Sequence, residues 1–489
     1  ETEKSSEDKS STKNEKLSSV PWLDVDGPLP SFAYQTLAGG VVHEDRTDRN
    51  ELLQTCRISI GIDLTNIGIE NVQQDEDGED EGNHHLGRGR PTRPLQKSTT
   101  TTSSSSSYWS CNSKIEPKDI CKDMQQFMDS GLTTFAFKTQ TAYQQQWGEY
   151  NVLRRLQQTT PKSVLRNMHV VHPLSVPRTK HQFDQLRETL VSSLYRMKTD
   201  YMDTLQLHYN PTSPYHYDTL DFLQELQRDG LVRSVAGQNM PLEVVQTAYQ
   251  YGFRMDSNQI TCHMMDSSAY KKTPQLFQAL IDMSEKEGDD DYNSSRSMKL
   301  RLASPLAGGL LTDQFTKYGH EPPPSWEMSP SSLHAMKTIL PQWYSHYKQR
   351  PVTPEEMERQ QHPSATPLPS SLWGAYQRYV VDTVTTIAQK HGVSQSSVAL
   401  RWAMQLDHTA TVVTSCTLGR RMDTGLPQGK NRSTLLRQVF TFELDHDDMD
   451  QLWKLSGGKP PTYDNFNSSN GFLLDFDNLS EEDYERFLL

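Results

Sequence analysis

The chain has 489 residues, only 34% of them hydrophobic, so it can form one large domain or two to three ordinary ones while part of it stays solvated. Its 49 Lys and Arg face 62 Asp and Glu, a formal net charge of -13, which excludes general affinity for nucleic acid or anionic membrane because phosphates would not be neutralised. No apolar stretch reaches the ~18 residues of a spanning helix, and five scattered cysteines without a CxxC pair support neither a disulfide framework nor a metal site. A reducing compartment follows from that cysteine usage. The sequence opens at Glu1 without an initiator Met or a charged-then-apolar signal, which points to a removed targeting segment or to a fragment.

Residues 1–20 are charged and Ser-rich and read as a disordered arm. Ordered chain is expected over 21–71, with a buried strand at Cys56 to Ile62. Residues 72–114 then hold an acidic run from Asp75 to Glu81, a basic Arg88-Gly89-Arg90 and an unbroken Ser/Thr tract from Ser98 to Ser107. Such composition buries too little apolar surface to offset the entropy of ordering it, so it is expected to be a mobile insertion.

From residue 115 to 457 the pattern is that of a folded barrel domain. Ile120, Met124, Phe127 and Met128 recur at helical spacing before Gly131, a C-terminal cap. Strands are expected at Leu132 to Phe137, Asn167 to Val171, Met202 to His208, Val232 to Ala236, Ser257 to Thr261 and Lys299 to Ala303. Helices are expected at Gln182 to Lys198, Leu220 to Arg228, Leu242 to Tyr251, Thr273 to Lys286, Tyr379 to His391 and Ser394 to Met404. Strands alternating with helices imply βα units and a parallel sheet, and about eight units in a length near ~250 residues favour a closed (β/α)8 TIM barrel. Ten prolines between 316 and 370 predict a mostly extended loop at the C-terminal face of the barrel, with Trp343, Tyr344 and Tyr347 packing locally. The tail 458–489 mixes aromatic and acidic residues, with a short helix expected from about Ser480.

The order of segments resembles the aldo-keto reductases. The likeness is carried by Leu132-Thr133-Thr134-Phe135, Met202 to His208, Gly230 to Asn239, Ser257-Asn258-Gln259, Ser304 to Thr312 and Val398-Ala399-Leu400-Arg401-Trp402. These stand in the family's order at roughly its spacings, and the look is nearest its larger plant and algal members. The resemblance implies a barrel that binds NADP(H) in extended form without a Gly-rich fingerprint, and no GxGxxG element is present. It implies hydride transfer to a small aldehyde or ketone, with a tyrosine as general acid, a lysine paired to an aspartate lowering the tyrosine pKa, and a histidine orienting the carbonyl. A phenol near pKa ~10 needs a neighbouring cation to serve at neutral pH.

The sequence departs from that pattern at the tetrad. Ala136 stands where the aspartate is expected, Thr141 where the tyrosine is, with Tyr143 two residues on, and Val170 matches the lysine in a loose register. His208 remains. The cofactor positions match better: Asn239 and Gln259 for the nicotinamide carboxamide, Ser304 to Leu306 beside the pyrophosphate, and Arg420 and Arg421 for a phosphate in an altered segment where Ser415 and Thr417 replace the family's Gly and Arg.

Two functions follow. One is an NADP(H)-dependent oxidoreductase with an altered tetrad, His208 polarising the carbonyl and Tyr143 or water as acid. The other is an inactive barrel that binds nucleotide or acts as a scaffold, with a protein partner at the acidic insertion or the C-terminal tail. Asn239 and Gln259 also fit a structural role as strand-end amides. His169 and His172 are three apart in a strand and turn rather than on a helix, which does not make a metal site. A plastid or cytoplasmic location follows only from the likeness to plant-type members.

Overall fold

The run Ile58-Ser59-Ile60-Gly61-Ile62 has the two-residue period of a strand whose two faces meet different surroundings. In a computed structural model of the chain it forms β1 (Ile58–Ile62), with all three isoleucines in the main hydrophobic core and Ser59 and Gly61 on the opposite face. The structure describes residues 58–62, 117–137, 152–161, 165, 168–197, 199–277, 280, 298–316, 318–319, 321–349, 371–407, 409–415 and 436–457. The 1–20 arm, the 72–114 insertion and the 458–489 tail lie outside them.

The further strands are β2 (Thr134–Phe137), β3 (His169–Ser175), β4 (Met202–His208), β5 (Val232–Gln238), β6 (Ser257–Thr261), β7 (Lys299–Ala303) and β8 (Thr409–Ser415). All are parallel, each pairs with the next, and β8 pairs back to β1, so the sheet is a closed barrel. This is the (β/α)8 architecture expected. One strand corrects the sequence reading: β8 had no place in it, because Thr409, Thr411 and Thr414 dilute the apolar pattern. A second correction concerns β3, which begins at His169 and runs through Pro173 to Ser175.

Helices cover the outer face. They are α1 (Pro117–Asp129), α2 (152–159), α3 (Lys180–Asp184), α4 (Leu186–Met197), α5 (His216–Arg228), α6 (Leu242–Gln250) and α7 (Ser268–Lys271). Helix α1 buries Ile120, Cys121, Met124, Phe127 and Met128 against the strands. It ends as its spacing predicts: Gly131, at φ 84°, donates to Met128 O, and Leu132 N–H reaches Phe127 O. The expected helix Gln182 to Lys198 is divided in two, because Gln185 caps α3 before α4 begins at Leu186.

The segment after β7 is not a mostly extended loop. It contains α8 (Pro330–Lys337) and α9 (Ile339–Gln349), with residues 351–370 outside the described set. Pro330 sits in the first turn of α8 behind the Ser329 cap, where a missing N–H costs nothing. The aromatic cluster does pack locally: Trp343 donates to Leu455 O at 2.9 Å and its ring stacks on Tyr347. Helix α10 (Leu372–Ala375) runs through a π-helical stretch, Tyr376–Val381, into α11 (Asp382–His391), followed by α12 (Gln395–Met404) and α13 (His446–Lys454). Among the described residues no helix is long and apolar enough to cross a membrane.

Candidate active site at the barrel mouth

Register decides which side chains face the barrel axis. Leu205 and Leu207 of β4 belong to the main core under the helices, so Thr204, Gln206 and His208 face inward. The same reasoning places Ala136, Val171 and Val413 inside, and these three form a small apolar cluster separate from the main core. Ala136 and Val171 are direct partners across β2 and β3. Val170, matched to the lysine at the sequence level, belongs instead to the helix-side core. The inward residue of β3 next to Ala136 is Val171. An apolar pair thus occupies adjoining inward positions on β2 and β3.

His208 is the last residue of β4 and is half-buried. It registers with Gln238 of β5, which registers with Gln259 of β6, which registers with Arg301 of β7. Residues in register point to the same side of a sheet. A continuous polar line therefore descends from His208 and Gln238, at strand ends, to Gln259 and Arg301, at strand centres.

The mouth is also where the backbone is strained. The non-glycine residues with left-handed φ among those described are Asn239 (52°), Ser304 (60°) and Ala307 (48°), all just beyond the C-terminal ends of β5 and β7. Such conformations cost about 1–3 kcal/mol in ordinary residues and cluster at functional sites. Asn239 is held in place on two sides. Its N–H donates to Gln259 O at 2.8 Å. The buried Asn258 side chain then clamps the next residue, accepting from Met240 N–H at 3.3 Å and donating to Met240 O at 3.1 Å. Gly237 makes that clamp possible, because a Cβ there would lie 2.9 Å from Asn258 Oδ1 and 2.9 Å from Met240 Sδ. The Asn239 side chain is left exposed and Gln259 half-buried.

After β7, Ser304 is exposed, and its carbonyl accepts from Ala307 N–H at 2.9 Å. Leu306 packs partly against the core, and its carbonyl accepts from Gly309 and Leu311. Tyr143, Arg420 and Arg421 lie outside the described residues. Of the eight site residues named from sequence, the structure thus places four at the mouth, His208, Asn239, Ser304 and Leu306, and Gln259 lower, at the centre of β6.

Below the mouth the interior is polar in a way that sequence reasoning missed. Arg301 is 3% exposed, and its Nη2 donates to Ser59 Oγ at 3.4 Å. Burial lowers its pKa to about 10, so it stays charged at neutral pH. His169 Nε2 lies 2.8 Å from Thr204 Oγ1. Burial first, then the Arg301 and His172 charges, hold its pKa down to about 3. His169 is therefore a neutral core histidine, and no cluster of metal-ligating side chains is found among the described residues. The readable signal was the pattern Lys299-Leu300-Arg301-Leu302-Ala303, whose apolar residues mark the helix side and leave the cation facing inward.

The sequence model described as "Aldo/keto reductase family" matches residues 108–456. No curated protein matches the chain. Solved structures that resemble it include an aldo/keto reductase from Brucella melitensis, at 15% identity and TM-score 0.41 over 69% of this chain and 89% of that one. Another is the glycerol dehydrogenase of Gluconobacter oxydans, at 14% identity and TM-score 0.46 over 71% of this chain and 87% of that one.

Proposed function

The chain belongs to the aldo/keto reductase family, and from that premise we propose that it is an NADP(H)-dependent oxidoreductase of small aldehydes or ketones with an altered proton relay. Family and fold support oxidoreductase chemistry. The observation that carries the finer reading is the anchored, left-handed Asn239 beside Gln259 at the strained mouth, on the polar line that begins at His208.

The residues present fit the cofactor. A carboxamide needs a donor and an acceptor together, and each of the two amide side chains offers both. The backbone of Ser304 to Leu306 is the partner for a pyrophosphate, and Arg420 and Arg421 for a further phosphate. When bound, NADPH supplies the hydride. His208 donates a hydrogen bond to the substrate oxygen and draws the C=O electron pair towards it. The proton that completes the alcohol comes from the Tyr143 hydroxyl or from water. Where the resemblance implies a lysine–aspartate pair, the described residues Ala136 and Val171 are apolar, so turnover is expected to be slow.

That apolar pair also favours a second reading, a barrel that binds nucleotide without turnover and serves as a scaffold. Titration of the purified protein with NADPH, followed by tryptophan fluorescence or melting temperature, separates the two. Micromolar binding together with carbonyl reduction that falls about 10²-fold in His208→Ala supports the oxidoreductase. Binding with no turnover across a carbonyl screen supports the scaffold. An absence of binding at millimolar NADPH and NADH overturns both nucleotide-based readings.

A further inference from the structure

Arg301 sits where a charge is hardest to keep. It occupies the centre of β7, faces the barrel axis, and is 3% exposed. Among the described residues it has no carboxylate partner; its one hydrogen bond is the long 3.4 Å contact to Ser59 Oγ. Its Nε is buried without an acceptor, and so is Nε2 of Gln206, which also faces inward from β4. Both orphans are donors. The neighbouring buried inward groups include hydroxyls and a neutral imidazole, Ser59, Thr204, Ser234, Thr411 and His169, with the half-buried Lys299 nearer the base of β7. Among the described residues Arg301 is therefore a buried cation without a carboxylate partner, and two inward-facing donors, its Nε and Gln206 Nε2, lack acceptors.

An uncompensated buried ion costs several kcal/mol even after relaxation. Hydroxyls and water can accept hydrogen bonds, but they cannot neutralise charge. We propose that the barrel interior binds a small monovalent inorganic anion of the chloride class, held by the Arg301 guanidinium and the surrounding hydroxyl and amide donors. The ion satisfies the orphaned donors and cancels the charge, and the polar line from His208 through Gln238 and Gln259 leads to it from the mouth. This site is independent of the proposed carbonyl chemistry and is tested without it.

The test compares melting temperatures of the full chain in sodium chloride, sodium bromide and sodium gluconate at fixed ionic strength, gluconate being too large to enter. Melting is expected to rise by roughly 2–4 °C per tenfold increase in chloride or bromide above the dissociation constant, and to stay flat in gluconate. In Arg301→Leu the halide dependence is expected to vanish, with stability in gluconate equal to or above that of the wild type. Should that variant not fold, crystals of the wild type grown in bromide decide the matter through an anomalous peak in contact with the guanidinium. Equal melting in all three salts, halide dependence that survives in Arg301→Leu, or bromide peaks only at the surface would each overturn the proposal.

Discussion

Two buried histidines make stability depend on pH in one direction. His169 and His263 have folded pKa values lowered from 6.5 to about 3 and about 4, burial being the first cause in each. Above about 6.5 both are neutral in either state and contribute nothing to the pH dependence. As pH falls below that value only the unfolded chain takes up the protons, so stability drops by up to about 1.4 kcal/mol per pH unit for each histidine, until the folded values are reached. Urea midpoints measured from pH 7.5 to 4.5 should show this slope, and His263→Gln should remove roughly half of the two-histidine part. The apolar plug gives a second residue-level prediction. Ala136→Asp places an unpaired carboxylate against Val171 and Val413 and should cost about 3–5 kcal/mol. Adding Val171→Lys beside it should restore part of that loss in a double-mutant cycle; a strictly additive result would mean the two positions do not face each other. The sequence showed Ala136 as an alanine where the resemblance implies an aspartate, and the structure places it inside the barrel. The sequence did not separate Val170 from Val171, because two adjacent valines carry no mark of which one faces the axis.

At the scale of elements, the Asn258 clamp is the device that presents Asn239. Asn258→Ala removes both bonds to Met240 and should raise KM for NADPH several-fold while leaving kcat nearly unchanged, with Asn258→Asp recovering only the bond it can still accept. Helix α13 depends on a buried carboxylate. Asp448 is 1% exposed, completes a capping box with Asp445, and takes hydrogen bonds from Lys390 at 2.8 Å and His391 at 2.7 Å. Asp448→Ala should therefore cost about 2–4 kcal/mol, read as a shift in denaturation midpoint. Neither device stands out in the sequence, since an asparagine in a strand or an aspartate in an acidic run is unremarkable until its partners are in view. The strands with strict alternation, β4 and β7, were legible to their last residue. Strand β8 was not, because threonines serve the barrel interior there and read as loop. The proline density after β7 hid α8 and α9 because one of those prolines opens a helix instead of breaking one.

For the whole molecule, strand β1 is the feature with the widest reach. It lies 54 positions of chain before α1, from 63 to 116, yet all five of its residues are buried. It is zipped on one side to β2 and on the other to β8, and inside the barrel Ser59 touches Arg301 of β7, the strand beyond β8. What holds it in the wall is thus lateral pairing and packing, not the covalent link that follows it. The protein should behave as a barrel with one separable stave. A protease site engineered between 63 and 116 should, once cut, leave two fragments that co-elute under native conditions and part only in denaturant. Mixed again, they should reassemble, and the barrel would then report by complementation on anything fused to its first stave.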